Sequence, residues 1–135
     1  MNQPSTAQLE LARRLLALEG AAEPASPAAG LVFDKLQAHM SPLVGTAGVQ
    51  LLFVRSAKLT RGEFTWLDEI SILEGSPKLR EQLETQDPAI STESAAALFG
   101  TFFALITTFI GERLTTQVLR RAWPTIEETA PKETK

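Results

Sequence analysis

Apolar residues recur along this chain at helical spacing, with no stretch of strict alternation to suggest strands. Leu9, Ala12, Leu15, Leu16 and Leu18 make one stripe, with Arg13 and Arg14 beside it. That stripe predicts a first helix, capped by Ser5 or Thr6 and running to about Glu19. Gly20 ends it, and the Ala- and Pro-rich stretch from Ala21 to Pro27 reads as a connector. Ser26-Pro27 has a capping residue followed by proline at the first helical position. It predicts a second helix to about Met40 carrying Leu31, Val32, Leu36 and His39. Ser41-Pro42 repeats the punctuation and predicts a third helix to about Leu59. The middle of that helix, Val49 to Val54, has Gln50 as its one polar residue, so it is expected to be buried nearly all round.

Thr60-Arg61-Gly62 reads as a break, and Glu63 to Ile72 as a short helix with Phe64, Trp66, Leu67 and Ile70. Ser76-Pro77 starts another short helix ending near Gln86, and Asp87-Pro88 punctuates again. Ser91 or Thr92 is expected to cap the longest helix, running to Ala122, with Pro124 beyond it. The pattern therefore predicts an all-α chain. Residues 5–124 form a single domain of five or six helices around a long apolar C-terminal one, between a frayed 1–4 and a polar tail at 125–135. One faint internal echo is visible, short of a repeat: Gly45-Thr46 and Gly100-Thr101 each precede an apolar stretch that ends near an arginine.

Ala95 to Ile110 carries no charge and must be kept from water. A bilayer span needs about 20 apolar residues. The uncharged segment from Ser94 to Gly111 falls short of that, contains three threonines and two glycines, and has no cationic cluster on its flanks. A buried central helix is the better reading. Its aromatic residues spread so widely around the axis that a homodimer is expected to help cover them. Gly100 and Gly111 are expected to let a neighbouring helix approach.

The chain has 135 residues, the length of one domain, with a formal net charge of −3. An acidic balance gives no footprint for nucleic acid. No cysteine is present, which excludes disulfides, thiolate nucleophiles and Cys-ligated metals. The N-terminal residues lack the charged and apolar regions of a secretory signal, so a cytoplasmic location is expected. His39 is the single histidine, and beside Met40 near a helix end it reads as a surface or capping residue. No metalloprotease, phosphate-loop, dinucleotide or calcium-loop motif occurs, so no enzyme activity and no cofactor are expected.

The candidate binding residues are therefore Phe99, Phe102, Phe103, Ile106, Phe109 and Trp66. Arg55 and Glu112 each end an apolar stretch. They are expected to pair where two central helices cross, because an isolated buried charge is costly. Arg55, Lys58 and Arg61 share a helical face and read as a solvated surface. Function is expected to be that of a helical protein-interaction or regulatory module that self-associates through apolar helix surface. The alternative is a carrier or sensor holding a small hydrophobic ligand in a Phe-lined cavity, with membrane attachment the weakest reading.

Overall fold

The computed structural model describes residues 5–19, 26–62, 64 and 75–124. Among them lie six helices and no strand: α1 (Thr6–Leu18), α2 (Ser26–Val44), α3 (Thr46–Thr60), α4 (Ser76–Glu84), α5 (Pro88–Ile110) and α6 (Glu112–Ala122). The short helix expected at 63–72 and the two terminal segments lie outside the described residues, as does Trp66.

Capping chemistry fixes the first helix start, and proline in the first turn marks later ones. The Ser5 hydroxyl accepts from the Gln8 N–H at 3.1 Å, and the Gln8 side chain accepts from the Ser5 N–H at 2.9 Å. This is a reciprocal capping box, in which two otherwise orphaned donors are satisfied. α2 begins at Ser26 as the Ser-Pro pair predicts. α4 begins at Ser76, and α5 at Pro88 behind Asp87.

Three expected boundaries are corrected, and glycine explains two of them. Ser41-Pro42 does not open a helix; both residues lie inside α2. The missing N–H of Pro42 frees the carbonyl of Ala38, which is on the exposed side of the helix where water can satisfy it. The break comes at Gly45, with φ 84° and ψ 153°. Likewise the long C-terminal helix does not continue to Ala122: Gly111, at φ 90° and ψ 157°, divides it into α5 and α6. A side chain is strongly disfavoured in that backbone region. Beyond the adjoining residues, no atom lies within 4 Å of where a Cβ would sit on either glycine. Gly111 is therefore required for its backbone angle, and no described helix of this chain approaches it closely. The third correction is Ser91, which lies inside α5 and donates to the Leu83 carbonyl at 2.8 Å, fastening α4 to α5.

α5 is the centre. It packs against α1 and α3 along most of its length and touches α2, α4 and α6. Its 22 residues from Ala89 to Ile110 are long and apolar enough to cross a membrane. Here their neighbours are the other helices of the chain, and Leu98, Phe99, Phe102 and Ile106 are fully buried. Phe53 of α3 stacks between Phe33 of α2 (ring centroids 4.4 Å apart) and Phe102 of α5 (4.2 Å), and meets Phe99 edge-on at 6.3 Å. This aromatic stack joins three helices, each contact adding about 0.5–1.5 kcal/mol to the area it buries.

A polar clasp closes the domain. The indole N–H of the buried Trp123, just past α6, donates to Glu19 Oε2 at 2.6 Å. Lys35 Nζ of α2 meets the same oxygen at 2.5 Å and lies 5.4 Å above the Trp123 ring. One carboxylate thus ties together the ends of α1 and α6 and the middle of α2. Three buried hydroxyls are satisfied locally: Ser56, Thr60 and Thr115 donate to the carbonyl one turn back.

Candidate functional site

The five described candidate residues do not share one environment. Phe99, Phe102, Phe103 and Ile106 are core residues, none more than 1% exposed. The 4.2 Å stack of Phe102 on Phe53 leaves no gap between those rings for a ligand, and Phe103 meets Phe102 edge-on at 6.1 Å. Phe109 is different: it is 68% exposed, on the last turn of α5. Trp66 lies outside the described residues.

Arg55 and Glu112 are not a buried pair. Both are exposed, and no ion pair joins them. The desolvation cost that motivated the pairing does not arise, because each side chain reaches water from the outward side of its helix. Glu112 instead occupies the first turn of α6, where a carboxylate complements the positive end of the helix dipole.

The residues that sequence reasoning missed are on α3. This helix is not buried all round. Val49, Leu52, Phe53, Ser56, Ala57 and Thr60 face the core, while Ala47, Leu51, Arg55, Lys58 and Leu59 face outward. Leu51 is 68% exposed and Leu59 44%. Positions 47, 51, 55 and 59 are four apart and follow one edge of the helix. The outward surface of α3 is thus two leucines bordered by Arg55, Lys58 and Arg61, all exposed, with no acidic residue on the helix itself. The signal was present in the sequence. Arg55 is a charge on the line through Leu51, and a long cation marks the wet side of a helix more reliably than a leucine marks the dry one.

The described residues contain no group of three or more His, Asp and Glu side chains that could hold a metal ion. His39 is half-buried on α2 and Met40 is fully buried beside it. A buried thioether next to an outward-turning imidazole cannot share a ligand with it from adjacent positions on one helix. Comparison with protein-family models, with curated proteins and with solved structures finds no match.

Proposed function

We propose that this chain is a non-enzymatic helical interaction module that receives a protein partner on the outward face of α3. The supporting observation is Leu51, an aliphatic side chain 68% exposed in mid-helix, with Leu59 two turns on and the exposed Arg55 and Lys58 beside it. A single exposed leucine needs no explanation. Two on one edge, bordered by one sign of charge, suit a partner helix with an apolar stripe and acidic flanks. The same border disfavours pairing α3 with α3 of a second copy, since like charges would meet.

A photo-crosslinking side chain at position 51 tests this. Partner adducts at 51 that weaken with salt, and are absent when the same group replaces Gln117 on the exposed side of α6, are the expected result. Equal adducts at both positions, or none at 51, contradict it.

Self-association is a second reading, and Phe109 favours it, because a phenyl ring 68% exposed at a helix end is a contact residue looking for a cover. Sedimentation velocity of the parent and Phe109→Ser separates the two: a dimer lost on substitution supports the reading, and a monomer in both removes it.

A further inference from the structure

We infer that the chain is a tandem duplication of one three-helix unit, α1-α2-α3 followed by α4-α5-α6, with the two first helices exchanged across a pseudo-two-fold axis.

The corners point to it first. Gly45 (φ 84°, ψ 153°) and Gly111 (φ 90°, ψ 157°) have nearly the same backbone, in a region essentially reserved for glycine. Each closes a long helix and opens a shorter one with no residue between. The Gly45 N–H donates to the Ser41 carbonyl at 2.7 Å, and the Gly111 N–H to that of Thr107 at 2.8 Å. Each glycine carbonyl accepts from the fourth residue on, Val49 at 3.0 Å and Thr115 at 3.1 Å.

Setting Gly45 on Gly111 aligns the flanking helices without a gap. Phe33 then falls on Phe99, Met40 on Ile106, Val49 on Thr115 and Phe53 on Leu119, and all eight are buried. Leu43 falls on Phe109 and Arg55 on Arg121, and all four are exposed. The true echo in the sequence is therefore Gly45 with Gly111, not with Gly100.

The packing gives an argument that does not depend on this alignment. α1 packs on α5, and α4 packs on α2. α3 packs on α5, and α6 on α2. The two corner pairs, α2 with α3 and α5 with α6, match, as do the lesser contacts of α1 with α2 and α4 with α5. The one remaining contact, α2 with α5, is its own image and lies on the axis. Each packed pair among the described helices thus has its counterpart. The exchanged helices agree in detail too. Ala12 and Leu16 of α1 and Leu79 and Leu83 of α4 are buried pairs four residues apart. An arginine follows the first of each: Arg13 reaches Glu93 of α5 at 3.7 Å, and Arg80 lies across Gly30 of α2. Each first helix therefore completes the core of the opposite unit, which locks the halves together.

Corner transplants into the full chain test the duplication. In one, residues 40–49 take the sequence of 106–115; in its reciprocal, 106–115 take that of 40–49. Controls carry the same donor segments shifted by one position, so that the glycine and the buried positions fall out of register. The duplication predicts cooperative thermal unfolding, within about 15 °C of the parent, for at least one in-register chain and for neither shifted one. Loss of cooperative unfolding in both in-register chains, or its survival in a shifted chain, overturns the inference.

Discussion

The two long helices, α2 and α5, occupy corresponding places in the fold but differ in how wet they are. Lys35, Gln37 and His39 of α2 are half-buried; their counterparts on α5, Thr101, Phe103 and Leu105, are buried. The difference follows from what covers them. α5 lies under α1, of 13 residues, and α3, of 15. α2 lies under α4, of 9, and α6, of 11. Longer covers exclude water along more of the helix, and the composition of α5 matches that exclusion. The uncharged run that dominates the sequence is thus the residue set of a helix roofed by longer neighbours, not a surplus of apolar surface. Within the run from Ala95 to Ile110 only Thr108 and Phe109 are exposed, while Ile90 emerges at the other end of α5.

This contrast can be broken at several points. The largest effect is expected in the aromatic stack: Phe102→Ala removes a fully buried ring in contact with Phe53 and Phe103 and should cost about 3–5 kcal/mol. The corresponding change on α2, Leu36→Ala, should cost less, about 2–4 kcal/mol. Urea denaturation of both variants measures the order, and the reverse order would contradict the better coverage of α5.

Next come the exchanged helices. Leu16→Ala and Leu83→Ala each empty a buried site on the opposite unit and should each cost about 2–4 kcal/mol. Leu16 should lie at the upper end, because α1 is the longer cover. Hydrogen exchange should show the first variant loosening α5 before α3, and the second loosening α2.

Gly45→Ala and Gly111→Ala place a Cβ where the backbone disfavours it, and each should lower stability by about 1–3 kcal/mol. Because space around both is open, the two losses should agree within about 1 kcal/mol in paired thermal melts. A neutral result at either corner would mean that the helices simply straighten there. Trp123→Phe keeps the ring but removes the donor to Glu19, and should cost about 1–2 kcal/mol, since Lys35 still holds the carboxylate. The smallest effects belong to Arg55→Ala and Glu112→Ala. Both side chains are exposed, so changes within about 0.5 kcal/mol are expected in the same denaturation assay.

How much of this was legible in the sequence depended on how local the cause was. Ser5 announces a helix start because its cap acts within four residues, and Ser26-Pro27, Ser76-Pro77 and Asp87-Pro88 announce theirs because proline is preset for the first helical turn. The all-α class follows from the spacing of Leu9, Leu15 and Leu16, or of Phe99, Phe102, Phe103 and Ile106, which needs no tertiary knowledge. The corners were harder to see. Gly45 stands after a Ser-Pro pair that mimics a start, and Gly111 sits between Ile110 and Glu112, where helical periodicity continues on both sides. Periodicity reports faces and not the direction of the axis, so a one-residue corner leaves it almost unchanged. Leu51 was read as buried because hydrophobicity alone cannot say which side of an apolar helix lacks a neighbour. That depends on where α5 lies, which is tertiary information. The Arg55–Glu112 pairing failed for the same reason.

Amide hydrogen exchange across α5 in detergent-free buffer tests the central claim most directly. The account predicts that amides from Phe99 to Ile106 exchange only through global unfolding, at the free energy that denaturation gives, while those at Phe109 and Ile110 exchange faster. Rapid exchange throughout the segment, or protection that arises only when lipid or detergent is added, would contradict it.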